Sequence, residues 1–274
     1  MSRKLGQHFL KDRRKLEKIA AALEIGPRDT IIEIGPGHGE LTEHLVTVDS
    51  KRVIMIEKDP RLVNFLKEKF QITSTKSQNI EVVEGDILKI LPTLQSKLEI
   101  QNSKLVGNIP YYLTGYLFRK ISELESKPEL IVFTIQREVA ERICASPPKM
   151  NLLAASVQFW GQPKIVGYIS KRSFSPPPKV DSAIIKITIS SQASGHWLER
   201  MDPGDTTEAE KYYKFIKILF KQPRKTILNN LREGFKLPQE ETEKRLQKLA
   251  VSPKLRPADL SFSDINKLSA NFPQ

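Results

Sequence analysis

The alternation of short β-branched runs with helical patterns constrains the fold of this chain more than any other feature. Between Thr30 and Ile189 the sequence passes repeatedly from an apolar strand pattern to an amphipathic helix pattern. Strands that alternate with helices of this length form βαβ crossovers, which build a parallel sheet covered on both faces. We therefore predict an α/β fold with a doubly wound sheet. Its strands are predicted in TIIEI, RVIMIE, IEVVEGD, KLVGNI and ELIVFTI, with KIVGYI and SAIIKITI as candidates for antiparallel strands at the edge.

A change in composition divides the chain. Residues 191–207 lose the periodic pattern and gather Ser, Gly, Pro and Asp, which is typical of a linker. Beyond this segment the pattern is purely helical: in EKYYKFIKILFK the apolar side chains follow helical spacing and the lysines lie on the opposite face. We predict a first domain over 1–190, which includes a distinct N-terminal segment over 1–25, and a small C-terminal α-helical domain over 208–274.

The charge of the chain favours a polyanionic partner. Lys and Arg number 44 against 32 Asp and Glu, which gives a net charge of +12. Because basic side chains release condensed counterions when they neutralise phosphates, nucleic acid is the first partner to consider, although a basic surface that serves only solubility explains the charge equally well. The single cysteine, Cys144, excludes a disulfide framework, and the charged start MSRKLGQHFLKDRRK is unlike a signal peptide. With no apolar run near the ~20 residues of a membrane span, we expect a cytoplasmic protein without a membrane segment.

A glycine-rich turn joins the first strand to a helix in IIEIGPGHGELTEHL. Gly35, Gly37 and Gly39 remove side chains where a backbone can approach a ligand, and Pro36 stiffens the turn. The pattern departs from the dinucleotide fingerprint, because the position five after Gly35 is Glu40 rather than glycine, and it lacks the Gly-Lys-Ser/Thr of a phosphate-binding loop. NAD and ATP are therefore both disfavoured as ligands.

Acidic residues follow at the ends of the next two strands. Glu57 ends the second strand, where a carboxylate accepts the two hydroxyls of a ribose. Asp86 stands at the end of the third strand, where it can accept an adenine amino group while the backbone of Ile87 meets a ring nitrogen. Each acid alone is more often a cap or a surface residue, so the ordered set carries the argument. S-adenosylmethionine fits this set, because it has a ribose, an adenine and a positive charge.

The stretch VGNIPYYLTG ends the fourth strand in a rigid turn. Pro110 fixes the turn and restricts Ile109 to an extended conformation, so we predict that the amide oxygen of Asn108 and a nearby backbone carbonyl face the crevice over the strand ends. Two acceptors that bind the hydrogens of an adenine amine favour a pyramidal nitrogen with a free lone pair, and Tyr111 can stack on the base. Taken alone, the stretch equally fits a turn cap and a core tyrosine; the accompanying motifs favour catalysis.

Six motifs occur in the order and spacing of the rRNA adenine N6,N6-dimethyltransferases: GQHFL, EIGPGHG, Glu57, GDIL, NIPY and FSPPPKVDS. The sequence resembles the bacterial small-subunit (KsgA-like) branch, which dimethylates two adjacent adenines near the 3′ end of small-subunit rRNA. The resemblance covers nearly the whole chain. It implies a Rossmann-like S-adenosylmethionine methyltransferase whose partner is the small-subunit rRNA of an assembling 30S subunit.

For the cofactor, the resemblance implies specific contacts. His8 and Leu10, in the N-terminal segment, would lie against S-adenosylmethionine. Gly35 would lie beneath its methionine portion. Glu57 would hold the ribose and Asp86 the adenine.

For the target base, the resemblance implies that Asn108 bridges the cofactor and the target amine. Tyr111 and Phe174 would sandwich the flipped base, and the rigid SPPPK segment after Phe174 suits a fixed ring beside a pocket. The histidines and Cys144 show no ligand spacing, so we predict no metal. The oligomeric state is not readable from the sequence, and a monomer is our default.

Two rival assignments stay open. The methylases that give erythromycin resistance by modifying large-subunit rRNA share these motifs, but PPPKVDS and the C-terminal FKQPRKTILNNL and RPADLS favour the small-subunit branch, in which Arg224 and Lys225 would meet rRNA. The second rival is a non-catalytic assembly or nucleic-acid-binding factor. The sequence departs from the family over 144–158 and at Pro223, where Arg is common, so the resemblance implies the family's chemistry for this chain but not its RNA contacts at these two places.

Overall fold

The computed structural model of the protein describes residues 8–46, 50–72, 79–97, 103–189 and 208–273. Contacts divide the chain into two compact units. Unit 1 comprises Met1–Ala140 and Gln162–Ser194, and unit 2 comprises Glu141–Gly161 and Gly195–Gln274. The predicted linker, 191–207, lies outside the described residues.

Strands and helices alternate along the part of the chain that forms unit 1. The strands are β1 (Phe9–Leu10), β2 (Thr30–Ile34), β3 (Arg52–Glu57), β4 (Ile80–Glu84), β5 (Ser103–Asn108), β6 (Leu130–Gln136), β7 (Gly161–Ile169), β8 (Phe174–Ser175) and β9 (Ser182–Ile189). The helices are α1 (Arg13–Ala22), α2 (Thr42–Leu45), α3 (Pro60–Lys69), α4 (Ile87–Lys97), α5 (Thr114–Ser122) and α6 (Arg137–Ile143), the last of which continues into unit 2.

A seven-stranded sheet in the order β4-β3-β2-β5-β6-β9-β7 forms the centre of unit 1. The strands from β4 to β6 pair in parallel, and β9 pairs antiparallel with β6. The chain runs outward from β2 to β4 and then returns to the other side of β2, so the strand order reverses between β2 and β5. This arrangement confirms the predicted doubly wound α/β sheet, and ligands bind outside the carboxyl ends of the strands at such a reversal.

The two late strands differ in position. The strand β7 lies at the end of the sheet, as predicted, whereas β9 lies between β6 and β7. The burial of β9 explains its inner position, because Ala183, Ile184, Ile185 and Ile187 have no exposed surface and need cover on both faces. The prediction of an edge position was therefore wrong for SAIIKITI, and its antiparallel orientation is confirmed.

Helices form unit 2 and give it a core of its own. They are α7 (Leu152–Gln158), α8 (Glu208–Leu219), α9 (Ile227–Phe235), α10 (Gln239–Lys248) and α11 (Phe262–Asn271). The apolar face predicted for α8 is buried through Tyr212, Phe215, Ile216 and Leu219. None of the helices described in either unit is long and apolar enough to cross a membrane.

The segment 141–161 belongs to unit 2, which corrects its assignment to the first domain. Its residues Ala154 and Ala155 pack in the same core as α8, the ring of Phe159 stacks on Tyr212 at 4.0 Å, and Tyr212 Oη donates to Ala155 O at 3.0 Å. These partners are more than fifty residues apart in the chain, so no local pattern reveals them. The whole of the segment 144–158, which departs from the family pattern, lies within these residues of unit 2.

Candidate active site

A cavity of about 300 Å³ opens in unit 1 at the carboxyl ends of β2, β3, β4 and β5. The last residues of these strands, or the turns directly after them, line its wall through Ile34, Glu57, Asp86 and Asn108. The cavity therefore lies at the strand-order reversal, where the topology predicts a ligand site.

The glycine-rich turn after β2 forms one side of the cavity. Gly35 and Gly37 have φ angles of +65° and +61°, which favour glycine, and Gly35 N donates to Ile56 O at 2.9 Å. A Cβ atom on Gly37 would lie 2.7 Å from a ring carbon of Phe9, whereas a Cβ on Gly35 would meet no atom within 4 Å. Gly37 is thus needed for packing, and the backbone of Gly35 is open toward a ligand.

The carboxylate of Glu57 anchors this turn to the end of β3. The side chain is 5% exposed. Its Oε1 accepts hydrogen bonds from Lys58 N at 2.8 Å and Asp59 N at 2.9 Å, and its Oε2 accepts one from Gly37 N at 3.3 Å. A carboxylate has about four acceptor positions, so Glu57 retains capacity for a ligand hydroxyl.

A second buried acid lies in the strand that precedes the glycine turn. Glu33, in β2, is 1% exposed and accepts a hydrogen bond from Thr42 Oγ1 of α2 at 2.7 Å. Burial raises the pKa of Glu33 to about 7, although the Thr42 hydrogen bond opposes this, and the nearby Glu40 and Glu57 add to the increase. Glu33 therefore joins the strand before the turn to the helix after it.

Asp86 forms an ion pair that the sequence analysis missed. Its Oδ2 lies 2.8 Å from Lys58 Nζ, and its Oδ1 accepts a hydrogen bond from Leu88 N at 3.0 Å. The Lys58 hydrogen bond is the main cause that lowers the pKa of Asp86, so this carboxyl stays ionised at neutral pH. Lys58 also lines the cavity, and its position directly after Glu57 at a strand end was the available signal.

Asn108 is held at the end of β5 by a contact with the N-terminal segment. Its Nδ2 donates to His8 O at 2.7 Å, which occupies a donor and leaves the amide oxygen Oδ1 as an acceptor. The preceding residue, Gly107, was not predicted to matter, yet a Cβ there would lie 2.5 Å from Ile34 O. Glycine before Asn108 therefore allows β5 to approach β2 closely.

Residues 8–12, which we call the N-terminal strap, pair with residues 173–176. The His8 Nδ1 proton donates to Pro176 O at 2.8 Å, β1 pairs antiparallel with β8, and Lys11 N donates to Ser173 O at 2.9 Å. Lys11 also contacts Glu40, beyond the glycine turn. The strap, which carries the end of the GQHFL motif, thus contacts both the FSPPPKVDS motif and the helix side of the glycine turn, which are distant from it in the chain.

The strap places one predicted site residue away from the cavity wall. Leu10 was expected to lie against the cofactor, but it is 3% exposed, packs in the core of unit 1 and is not among the residues that line the cavity. Its neighbour Phe9 lines the cavity instead. Successive side chains in a strand point to opposite faces, so within β1 only one of these two can face the cavity.

Two aromatic rings predicted for the target base line the cavity. Tyr111 is half-buried, and its hydroxyl lies 2.9 Å from Ser182 Oγ, while burial raises the pKa of Tyr111 and keeps the phenol neutral. Phe174 is 5% exposed and belongs both to the cavity wall and to the core of unit 1. The two rings are therefore held differently: Tyr111 by a hydrogen bond, and Phe174 by packing.

The cavity brings together nearly all of the predicted site residues. Those that line it are His8, Gly35, Gly37, Glu57, Asp86, Ile87, Asn108, Tyr111 and Phe174. Lining residues that the sequence analysis missed include Phe9, Lys58, Tyr112 and Tyr116. Within the part of the chain that the structure describes, no group of three or more His, Cys, Asp or Glu side chains is arranged to hold a metal ion.

The chain matches known proteins over almost its whole length. The profile of the ribosomal RNA adenine dimethylase family matches residues 1–272. The Ribosomal RNA small subunit methyltransferase A of Dehalococcoides mccartyi is 37% identical over 262 residues, which cover 95% of this chain and 84% of the relative. The protein of the same name from Mycoplasma capricolum is 35% identical over 266 residues, with coverage of 96% and 94%.

Two solved structures are also similar to this chain over almost its whole length. A dimethyladenosine transferase from Plasmodium falciparum aligns with a TM-score of 0.76 at 26% identity and covers 95% of this chain and 96% of its own. The 23S rRNA methyltransferase ErmE aligns with a TM-score of 0.74 at 26% identity, with coverage of 97% and 100%. On the strength of the family match and of the curated relatives, this chain belongs to the ribosomal RNA adenine dimethylase family.

Proposed function

We propose that the cavity of unit 1 is the site at which this protein dimethylates N6 of two adjacent adenines near the 3′ end of small-subunit rRNA, on an assembling 30S subunit. As a member of its family, the protein is an rRNA adenine dimethyltransferase that uses S-adenosylmethionine. The observation that carries the site assignment is the convergence of Glu57, Asp86 and Asn108 on one cavity at the strand-order reversal.

The cofactor side of the cavity has the donors and acceptors that S-adenosylmethionine requires. Glu57 would accept the ribose hydroxyls, Asp86 and the backbone of Ile87 would meet the adenine, and the open backbone at Gly35 would lie beneath the methionine portion. His8 lines the same cavity, next to the proposed position of the methionine. When bound, the cofactor supplies an electrophilic methyl group on a sulfonium.

Asn108 is the proposed catalytic residue, because its hydrogen bond to His8 O leaves Oδ1 free to accept a hydrogen bond from the target amine. The lone pair of an adenine amine is delocalised into the ring, which makes the nitrogen a poor nucleophile. If Oδ1 of Asn108 and a backbone carbonyl of the NIPY turn accept its two hydrogens, the nitrogen becomes pyramidal and its lone pair is available. Most of the catalysis is then positioning.

Tyr111 and Phe174 are proposed to hold the flipped adenine between their rings. Extraction of a base from its stack costs a few kcal/mol, and stacking on an aromatic side chain returns about 1–3 kcal/mol per base. The hydrogen bond of Tyr111 to Ser182 and the packing of Phe174 fix both rings before the base arrives. Little ordering of these side chains is then needed on binding.

Unit 2 is proposed to bind rRNA. On α8 the side chains of Lys214 and Lys217 are exposed opposite the buried apolar face, and Lys221 and Arg224 are exposed beyond the end of the helix. Lys225 forms an ion pair with Glu233, in which the Nζ and Oε1 atoms lie 3.0 Å apart. Basic side chains of this kind bind phosphates without reading the sequence, so they would orient the subunit while the cavity selects the base.

A large-subunit target is the second candidate, and the structural similarity to ErmE favours it. The curated relatives favour the small subunit, because they are more similar in sequence than ErmE and carry small-subunit names. We place the protein in the cytoplasm, because the proposed substrate is a ribosomal subunit under assembly, and we keep a monomer as the default oligomeric state.

In the test, purified protein is incubated with methyl-labelled S-adenosylmethionine and undermethylated small subunits, and in a separate reaction with large-subunit rRNA. The RNA is then digested to nucleosides. We expect label in N6,N6-dimethyladenosine from the small subunit alone. Label only from large-subunit RNA would assign the protein to the resistance methylases. No label from either substrate would overturn the proposal in favour of a non-catalytic assembly factor.

A further inference from the structure

Two tyrosines at the mouth of the cavity are far more exposed than the other aromatic residues that line it. Tyr112 is 57% exposed and Tyr116 is 66% exposed, whereas Phe174 is 5% exposed. Large aromatic side chains contribute most to the free energy of binding when a partner removes them from water. Two exposed rings beside a binding cavity therefore indicate a surface that a partner covers.

The two rings lie on a surface that the rest of unit 1 leaves open. They are four residues apart, across the junction of a short 3₁₀ turn (Tyr111–Leu113) with α5, a spacing that brings side chains to one side of a helix. A Cβ atom on Gly115, between them, would meet no atom within 4 Å. Among the described residues, neither tyrosine hydroxyl has a hydrogen-bond partner and neither ring stacks on another aromatic ring, so the fold itself does not account for them.

We propose that Tyr112 and Tyr116 form a stacking site for the base that neighbours the flipped adenine in single-stranded rRNA. This inference rests on the proposed function. When one adenine leaves the stack, the adjacent base loses a neighbour, and an exposed ring at the cavity mouth replaces that contact. The net charge of +12 and the continuity of these rings with the cavity favour RNA as the occupant. With two adjacent target adenines, the second adenine is the base held there while the first reacts.

The test compares alanine and phenylalanine variants of both tyrosines in methyl transfer to undermethylated small subunits. Removal of a stacking ring should lower kcat/KM for the subunit by roughly tenfold for Tyr112→Ala and for Tyr116→Ala, and by more in the double variant. The phenylalanine variants keep the ring and should stay within about twofold of the wild type. Cofactor affinity and the unfolding temperature should remain unchanged, because both side chains are exposed.

Tyr168→Ala is the matched control, since Tyr168 is 46% exposed on β7 and does not line the cavity. Wild-type kcat/KM in both alanine variants would overturn the stacking site while the proposed function stands. An equal loss in Tyr168→Ala, or a loss explained by weaker cofactor binding, would also overturn it. If the wild-type protein itself fails to methylate the small subunit, the proposed function fails first, and the two failures are therefore distinguishable.

Discussion

The two sides of the cavity are built in different ways. On the cofactor side, the polar groups bind their neighbours in adjacent strands and turns, as when Gly35 N donates to Ile56 O and Gly37 N donates to Glu57. On the target side, which is the part of the cavity proposed to hold the adenine, Asn108 and Tyr111 depend on segments far away in the chain. Asn108 binds His8 across 100 residues, and Tyr111 binds Ser182 across 71 residues.

This difference teaches that strand ends and turns of the sheet hold the cofactor side, with the strap in contact through Phe9 at Gly37 and Lys11 at Glu40. The target side exists only when the N-terminal strap and residues 173–182 are in place. Substitutions on the cofactor side should therefore change cofactor affinity locally. Those on the target side should affect catalysis together with the packing that holds the strap.

The largest effect is expected for Phe174→Ala, which tests whether target-side chemistry and packing are joined. Removal of a buried phenylalanine costs about 3–5 kcal/mol of unfolding free energy, and methyl transfer should be lost with it. Phe174→Leu keeps most of the apolar volume, so unfolding should change by about 1 kcal/mol while methyl transfer still falls about tenfold. Denaturant unfolding and methyl-transfer assays measure the two effects. Wild-type turnover in Phe174→Leu would show that the ring of Phe174 does not stack on the target base.

Glu33→Gln tests how the cofactor side responds to pH. The pKa of Glu33 is raised to about 7 in the folded protein, so the folded state binds a proton that the unfolded chain releases near its ordinary pKa. The stabilising effect is complete below pH 4.5 and is lost as pH rises through 7, which amounts to about 2–3 kcal/mol between pH 5 and pH 8. The variant lacks this proton, so its unfolding free energy should fall less over that range. If the unfolding free energies of variant and wild type change equally with pH, the result would contradict the claim that burial raises the pKa of Glu33.

Glu57→Ala separates the two sides most cleanly. It removes the proposed ribose acceptor and the anchor of three backbone amides, including Gly37 N. S-adenosylmethionine affinity, measured by calorimetry, should fall about 100-fold, with rRNA binding unchanged. Glu84→Ala is the control, because Glu84 pairs in register with Glu57 on β4 and does not line the cavity. Equal losses in the two variants would argue against a specific contact.

The smallest effect is expected for Tyr111→Phe, which keeps the stacking ring and removes the 2.9 Å hydrogen bond to Ser182. A neutral hydrogen bond of this kind contributes about 1 kcal/mol, so methyl transfer should fall by about fivefold at most. Ser182→Ala should reproduce the loss, and the double variant should add nothing to it. Fully additive losses would mean that this hydrogen bond does not orient the ring.

The features that a local sequence pattern determines were predicted from the sequence. The strands, the glycine turn and the acids Glu57 and Asp86 follow from strand periodicity and from residue types at strand ends. Leu10 does not line the cavity, and the sequence could not show this because a strand of two residues is too short to reveal which side chain faces the cavity. Lys58 was missed because its partner Asp86 lies on another strand end. The place of residues 141–161 in unit 2 depends on packing against α8, which no local pattern encodes.

The most direct test of the proposed mechanism is single-turnover methyl transfer by Asn108→Ala to small subunits that are already bound. Loss of one positioned acceptor should slow the step by about 10²- to 10³-fold, by analogy with the removal of a preorganised hydrogen-bonding group, while rRNA affinity stays within about threefold. An unchanged unfolding temperature would show that the lost bond to His8 has not released the strap. Transfer at the wild-type rate by this variant would contradict the assignment of Asn108 as the residue that activates the target amine.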